Sequence, residues 1–291
     1  MPEVRVLRRI TDELARATGE GSLGDGEATA LWAAVSGMKS AEVWLKRDSE
    51  ALPDVVDRFW KAVEQRKRGV PFAYVAGSVG FRTLDLKIDA RALIPRPETE
   101  GLVDLVLARS STGLVADVGT GCGCIALALA VEGQFDKVVA VERSAAAAAL
   151  ARENVKRVAA RTPVEIREGK LLAPLVDQGE RYQAIVSNPP YLTAAEYAEL
   201  DPSVAQFEPW EALVSGSDGL DATRSLFAGA AAVLEPGGLL AVEIDERRAD
   251  AIRLLSREYG WDVAIHADLF GRPRYALATP GHGPGAHTSE G

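Results

Sequence analysis

The stretch Leu114-Val115-Ala116-Asp117-Val118-Gly119-Thr120-Gly121-Cys122-Gly123 decides the fold. Its first five residues form a mostly apolar run that predicts a buried strand, and residues 125–131 predict a helix. Between them lies the glycine loop, residues 117–123, where missing side chains let a ligand approach the backbone. A strand, a glycine-rich turn and a helix in this order predict a parallel sheet that binds a nucleotide-like cofactor.

Strands and helices continue to alternate toward the C-terminus. The predicted strands are 138–141, 164–166, 182–186 and 239–244, and the predicted helices are 145–158, 220–234 and 249–259. A closing pair of strands, 263–266 and 275–278, is expected to be antiparallel. This pattern predicts an α/β fold with a Rossmann-like, doubly wound and mostly parallel sheet of seven strands.

The first 70 or so residues show helical periodicity instead. Apolar residues recur at helical spacing from Leu7 and Ile10, around Trp32 and around Phe59, and Pro53 is well placed to open the third helix. Alternating apolar residues over 73–89 predict a hairpin. We therefore expect four segments: a small helical bundle (1–72), a β-hairpin linker (73–92), the cofactor-binding domain (93–279) and a disordered tail rich in Gly and Pro (280–291).

Glu142 ends the second predicted strand, where doubly wound folds accept hydrogen bonds from ribose hydroxyls. The alternative is a solvated side chain that caps the next helix near Ser144. The G-x-G-x-G spacing is tighter than a dinucleotide fingerprint and lacks the Lys-[Ser/Thr] of a phosphate loop. A pyrophosphate favours a glycine loop at a helix N-terminus. S-adenosylmethionine presents a cationic amino group that Asp117 suits, so the residues favour this cofactor without settling the choice.

Asn188-Pro189-Pro190-Tyr191 follows the fourth predicted strand, at the same edge as the glycine loop. The prolines remove two N–H donors and fix φ, so the turn presents two acceptors, the Asn188 side-chain oxygen and the Pro189 carbonyl. Such a pair suits a planar NH2 group, on which Tyr191 can pack. Gripping both hydrogens would aim the nitrogen lone pair at a sulfonium methyl. The alternative is a tight turn after a buried strand.

The charge distribution bears on the class of partner. The net charge is -9, yet residues 1–75 carry 12 Lys+Arg and 12 Asp+Glu, so the remainder holds the whole deficit. An acidic body repels phosphate backbones, so we expect no stable nucleic-acid complex.

The two cysteines, Cys122 and Cys124, are poorly placed for a disulfide or a zinc site, and we expect no metal. Without a membrane-length apolar run or a signal peptide at the start, the sequence predicts a cytoplasmic protein that is not bound to a membrane.

Together these residues resemble the release-factor N5-glutamine methyltransferases, the PrmC/HemK family, over nearly the whole chain. The matching segments are 72–77, Leu93-Ile94-Pro95-Arg96-Pro97-Glu98-Thr99-Glu100, the glycine loop, Glu142, 188–191, 207–213, 216–220, 236–238 and 268–274. Residues 96–100 discriminate best, because Asn-Pro-Pro-Tyr also occurs in enzymes that methylate amino groups of adenine and guanine.

The resemblance implies an enzyme that transfers a methyl group from S-adenosylmethionine to the glutamine of the Gly-Gly-Gln loop in peptide chain release factors. It also implies that the N-terminal domain helps to recognise this protein substrate. The expected site residues fall into three groups. They are catalytic and substrate-binding Asn188, Pro189, Pro190 and Tyr191; further substrate-binding Arg96 and Glu98; and cofactor-binding Asp117, Gly119, Thr120, Gly121, Cys122, Gly123, Glu142, Leu171 and Asn188.

Three departures from the family pattern concern the cofactor. Lys170 stands where an acidic residue is common, Asp245 replaces a glycine, and Glu142 replaces an aspartate. The first two put cofactor affinity in doubt more than reaction type.

Three other functions compete with this interpretation. One is methylation of an exocyclic base amine, with a flipped base in the Asn-Pro-Pro-Tyr pocket; the neutral N-terminal domain lacks the basic stripe that this would need. The second is methylation of glutamine in a ribosomal protein. The third is a protein that binds S-adenosylmethionine without catalysis, which the intact residues 188–191 disfavour.

Overall fold

The computed structural model describes residues 8–19 and 23–281. These residues form two compact units. The first contains the described residues up to Val79 together with Asp201–Phe207, and the second contains Gly80–Leu200 and the described residues from Glu208 onward. The units divide between Val79 and Gly80, a few residues after the predicted boundary at 72/73.

The first unit has a helical core, as predicted. Its helices are α1 (Ile10–Gly19), α2 (Asp25–Ser36), α3 (Ser40–Leu45), α4 (Pro53–Lys67) and α5 (Phe72–Ala76). Pro53 does open α4. Trp32 and Phe59 are buried and pack edge to face, with ring centroids 5.0 Å apart. The predicted apolar stripes therefore form a core, except for Leu7, which lies outside the described residues.

The predicted hairpin is shorter than expected. Its strands are β1 (Ser78–Phe81) and β2 (Leu84–Lys87), which form a two-stranded sheet, whereas residues 72–76 are the helix α5. The strand prediction for 73–77 was therefore wrong. Pro71 precedes the helix, and Gly77 ends it in the left-handed region with φ 72°. These two breakers outweigh the alternating pattern of apolar residues.

The second unit is built on one large sheet. Its strands are β3 (Leu114–Val118), β4 (Lys137–Glu142), β5 (Val164–Glu168), β6 (Tyr182–Ser187), β7 (Leu234–Glu243), β8 (Trp261–Ala267) and β9 (Pro273–Pro280). Their order is β5-β4-β3-β6-β7-β9-β8, with β9 antiparallel to both of its neighbours. The predicted seven-stranded, mostly parallel, doubly wound sheet and its antiparallel closing pair are confirmed.

Helices accompany this sheet along the chain. They are α6 (Glu98–Leu107), α7 (Cys124–Glu132), α8 (Ala145–Val158), α9 (Ala173–Val176), α10 (Ala194–Ala198), α11 (Pro202–Ala205), which belongs to the first unit, α12 (Asp221–Gly229) and α13 (Ala249–Glu258). The helix predicted over 220–234 ends early. Leu234 already belongs to β7, because it pairs with Tyr182 of β6 in the sheet.

The described residues contain no helix that is both long and apolar enough to span a bilayer. Pro280, predicted to begin the tail, instead ends β9. Residues 282–291 of that predicted tail lie outside the described residues.

Candidate active site

The order in which successive strands join the sheet changes direction between β3 and β6. These strands are neighbours, although β4 and β5 lie between them in sequence on the far side of β3. A crevice at such a switch point, beyond the carboxyl ends of the strands, is where doubly wound sheets bind ligands. A cavity of about 710 Å³ lies there, and its lining includes Gly119, Gly121, Glu142, Leu171, Asn188 and Pro190. Five predicted cofactor contacts therefore share one cavity.

The glycine loop holds its shape with left-handed residues. Gly119, Gly121 and Gly123 have φ of 79°, 58° and 90°, a region that side chains disfavour. A Cβ added at Gly119 or Gly121 would meet no atom within 4 Å, so the missing side chains leave open space on the cavity wall. The loop is thus a cradle in which a ligand can touch the backbone.

Asp117 lies beneath this loop and is fully buried. Its Oδ2 accepts hydrogen bonds from Thr120 Oγ1 at 2.5 Å and from the Ala126 amide at 3.0 Å, which ties the loop to α7. Its Oδ1 is buried without a hydrogen-bond partner among the described residues, and burial raises the pKa of this carboxyl to about 7. Asp117 does not line the cavity, so its predicted contact with the ammonium of the cofactor stays a prediction.

Thr120, Cys122 and Gly123 belong to the loop but, unlike Gly119 and Gly121, do not line the cavity. Thr120 and Cys122 are buried, and Gly123 is the residue before the first turn of α7. Their geometry suits shaping the loop more than touching a ligand through a side chain.

Glu142 stands at the tip of β4 and lines the cavity. Its Oε2 accepts from the Gly121 amide at 2.9 Å and its Oε1 accepts from the Ser144 amide at 2.8 Å. Each carboxylate oxygen can accept a further hydrogen bond. Two backbone amides therefore hold the carboxylate at the cavity wall, where its remaining acceptor capacity suits a ribose diol. The helix cap itself is made by Ser144, whose hydroxyl accepts from Ala147.

Two of the residues that depart from the family pattern lie in different places relative to the cavity. Lys170 lines the cavity next to Leu171, which adopts a left-handed φ of 49°. Asp245 lies away from the cavity lining, and its carboxylate accepts from the Arg247 amide at 2.9 Å and from the Arg247 guanidinium at 2.6 Å. Asp245 thus caps the short 3-10 turn Glu246–Arg248.

The Asn-Pro-Pro-Tyr turn follows β6, as predicted. Asn188 and Pro190 line the cavity, whereas the buried Pro189 and the partly buried Tyr191 do not, so the predicted contacts of these two residues with substrate stay predictions. Burial is the main cause that raises the pKa of Tyr191 to about 12, and the Glu243 carboxylate adds to it. The phenol therefore stays neutral at physiological pH.

A buried row of polar groups stands behind Asn188. Asn188 Nδ2 donates to Thr99 Oγ1 at 3.1 Å, and Thr99 Oγ1 donates to Glu243 Oε2 at 2.7 Å. The sequence motifs predicted no role for Thr99 or Glu243. The usable signal was that Glu243, like Glu142, ends an apolar strand with a carboxylate.

Arg96 and Glu98 do not line the cavity. The Arg96 guanidinium donates to Glu208 Oε1 at 2.6 Å, and the other oxygen of this buried carboxylate accepts from the Ile94 amide at 3.0 Å. The Glu98 carbonyl accepts from the Tyr275 hydroxyl at 2.6 Å. Both residues anchor the segment that leads into α6, and their predicted contact with substrate stays a prediction.

Family models match both parts of the sequence. The "PrmC N-terminal domain" matches residues 5–77, and the "Methyltransferase small domain" matches residues 98–204. A methyltransferase from Pyrococcus furiosus of known structure has a similar fold, with a TM-score of 0.52 and 21% identity over 70% of this chain and 92% of that chain.

The fold and the cavity define an S-adenosylmethionine-dependent methyltransferase of the Rossmann-like class. Relatives named "Release factor glutamine methyltransferase" include one from Deinococcus radiodurans, 40% identical over 92% of this chain and 96% of its own length. Another, from Xylella fastidiosa, is 45% identical over 79% of this chain and 82% of its own. The chain belongs to the release factor glutamine methyltransferase family.

Proposed function

We propose that this enzyme transfers a methyl group from S-adenosylmethionine to the side-chain nitrogen N5 of the glutamine in the Gly-Gly-Gln motif of peptide chain release factors. The observation that carries this proposal is the hydrogen-bond direction at Asn188. Its NH2 group donates one hydrogen to the buried Thr99 hydroxyl, which places the oxygen of the amide on the other side, and Asn188 itself lines the cavity. An oxygen that accepts hydrogen bonds at this point favours a methyl-accepting substrate that presents an NH2 group.

The residues present fit the cofactor. Glu142 would hold the ribose hydroxyls of the cofactor, and the open backbone at Gly119 and Gly121 would lie beside its amino-acid portion. Leu171 would pack on an apolar face of the cofactor. When bound, S-adenosylmethionine supplies an electrophilic methyl group on a positively charged sulfur.

The acceptor residues then orient the glutamine. The Asn188 oxygen and the Pro189 carbonyl accept the two N5 hydrogens, while the Tyr191 ring packs on the amide plane. This grip aims the nitrogen lone pair along the axis of transfer and stabilises the positive charge that develops on nitrogen. With the cofactor bound, its methyl carbon would bond to this nitrogen, the sulfur would keep the electrons of the broken carbon–sulfur bond, and one N5 proton would be lost to solvent.

The helical first unit is the proposed recognition domain for the protein substrate. Residues 1–75, which form most of this unit, carry equal numbers of basic and acidic residues, and the acidic remainder of the chain disfavours a stable complex with nucleic acid. We infer a cytoplasmic location, because release factors act on ribosomes and because both cysteines are free thiols.

The test is a transfer assay with methyl-labelled cofactor. Three acceptors are compared: a release factor, the same factor with the Gly-Gly-Gln glutamine replaced by alanine, and ribosomal RNA. We expect label in the first acceptor alone. Mass spectrometry should place the added methyl group on that glutamine.

Two other results would redirect the proposal. Equal label in the factor and in its alanine variant would rule out the Gly-Gly-Gln glutamine, and label in RNA alone would indicate a base-amine methyltransferase. A ribosomal protein mixture serves as a fourth acceptor, because preferential label there would indicate glutamine methylation of a ribosomal protein.

A further inference from the structure

The row Glu243–Thr99–Asn188 joins three separate segments of the second unit. Glu243 is the last residue of β7, Thr99 lies in the first turn of α6, and Asn188 follows β6. Thr99 and Glu243 are each only 2% exposed, and neither lines the cavity. Of the three residues only Asn188 lines the cavity, so the hydrogen bonds of Thr99 and Glu243 act on the substrate pocket through the Asn188 amide.

The direction of these hydrogen bonds follows from the chemistry of the groups. An ionised carboxylate accepts and cannot donate, so the Thr99 hydroxyl must give its single hydrogen to Glu243. The Thr99 oxygen is then an acceptor on its other side, and Asn188 must meet it with the NH2 group. The Asn188 oxygen then lies on the side of the amide away from Thr99, and Asn188 is the member of the row that lines the cavity.

We propose that Glu243 and Thr99 are positioning residues that lock the Asn188 amide with its oxygen toward the substrate nitrogen. This inference rests on the proposed function for its role in catalysis, whereas the locking itself is a property of the free enzyme. A turned amide would present NH2 to the NH2 of glutamine, two donors that cannot pair.

The lock depends on the charge of Glu243. Five titratable groups face this carboxyl from the segments packed around it: Arg96, Glu98, Tyr191, Arg274 and Tyr275. The two arginines favour the ionised form, Glu98 opposes it, and the two tyrosines are neutral. Burial outweighs the hydrogen bond from Thr99 and raises the pKa of Glu243 to about 7.

The sign of the pH effect follows directly. Above pH 7 Glu243 is ionised and the amide is locked. Below pH 7 the protonated carboxyl can donate to Thr99, whose hydroxyl is then free to donate to the Asn188 oxygen, and the turned amide becomes accessible. We expect kcat to fall on the acidic side with this midpoint.

The first test uses substitutions at Thr99. Thr99→Val removes the hydroxyl and keeps the shape, and it should lower kcat by about 100-fold, the order of effect of a misplaced reacting group. Thr99→Ser keeps the hydroxyl and should restore most of the rate. Thr223→Val is the matched control, because Thr223 is also 2% exposed and, like Thr99, does not line the cavity, but it is not part of the Glu243–Thr99–Asn188 row. Cofactor affinity, measured by calorimetry, should be the same in all four proteins.

The second test needs no catalysis. The sequence contains two asparagines, Asn154 and Asn188, so protein labelled with 15N in asparagine side chains gives two NH2 signals. The Asn188 signal should titrate near pH 7 in the wild type and lose this transition in Glu243→Gln and Thr99→Val. Asn154 is the internal reference, since its NH2 donates to the Lys87 and Cys122 carbonyls at 2.9 Å.

Each outcome decides the inference independently of the substrate. A wild-type enzyme that labels no release factor would refute the proposed function, yet the Asn188 titration would still report on the lock. A Thr99→Val enzyme with wild-type kcat, or an Asn188 signal unaffected by Glu243→Gln, would overturn the inference.

Discussion

At the scale of single residues, some side chains of the site line the cavity and others are buried behind them. Glu142 and Asn188 line the cavity, whereas Asp117 and Glu243 are buried behind them. Both buried carboxyls have pKa values raised to about 7 by burial. Perturbed carboxyls at a ligand crevice are typical of functional sites. The motifs predicted Glu142, Asn188 and Asp117 as site residues, whereas they assigned no role to Glu243.

Asn188→Ala removes the acceptor that the proposal assigns to the substrate nitrogen. Because this contact is made to the reacting group, we expect kcat to fall at least about 100-fold. Cofactor affinity should change little, since Glu142 and the glycine loop remain. Label transfer to a release factor measures the first effect and calorimetry measures the second. Turnover at the wild-type level would refute the assignment.

Glu142→Ala should weaken cofactor binding. The lost charge-assisted hydrogen bonds are worth roughly 1.5–3 kcal/mol each, which corresponds to about a tenfold or larger rise in the dissociation constant. Glu168→Ala is the matched control, because Glu168 ends the adjacent strand β5, pairs with Arg152 and does not line this cavity. An unaltered dissociation constant for Glu142→Ala would remove the ribose role.

At the scale of elements, helix α6 matters most for the site. It carries Thr99, and Gly101 in its second turn packs against β9. A Cβ at Gly101 would lie 2.4 Å from the Tyr275 hydroxyl, which itself donates to the Glu98 carbonyl. The sequence did not predict α6 because the segment 93–100 was read as a motif and not as the approach to a helix.

Gly101→Ala should therefore destabilise the protein despite the higher helix propensity of alanine. Overpacking of this kind typically costs about 1–3 kcal/mol, and urea unfolding measures it. Gly26→Ala in α2 is the control. A Cβ there meets no atom within 4 Å, so we expect an unchanged or slightly raised free energy of unfolding. Equal stability of the two variants would mean that Tyr275 moves aside freely.

At the scale of the whole molecule, the described residues form two compact units, to which the proposed function assigns different tasks. The cavity lining lies entirely in the second unit, while the first has its own core around Trp32 and Phe59. Damage to the first core should therefore affect protein-substrate recognition and leave the cofactor site intact.

Phe59→Ala tests this division. Truncating a fully buried phenylalanine costs about 3–5 kcal/mol, so the first unit should unfold at lower urea concentration. We expect methylation of release factor to fall while the cofactor dissociation constant is unchanged. Trp44→Ala is the control, because Trp44 is 62% exposed. Parallel loss of cofactor binding in Phe59→Ala would show that the two units do not act separately.

The sequence by itself determined the elements whose signals are local. Apolar periodicity predicted the strand Leu114–Val118 and the positions of Glu142 and Asn188 at strand ends. Residues with fixed backbone preferences predicted the glycine loop, whose glycines are left-handed. The antiparallel closing pair and the seven-stranded sheet follow from the same alternation.

Tertiary structure alone decided the contacts between distant segments. Arg96 turned to the buried Glu208, Leu234 joined the sheet through Tyr182, and Thr99 was placed between Asn188 and Glu243. A side-chain hydrogen bond extends about 3 Å, and which groups come within that reach depends on how helices pack on the sheet. Local sequence patterns carry no record of that packing, so the groups that orient Asn188 became visible only in the folded chain.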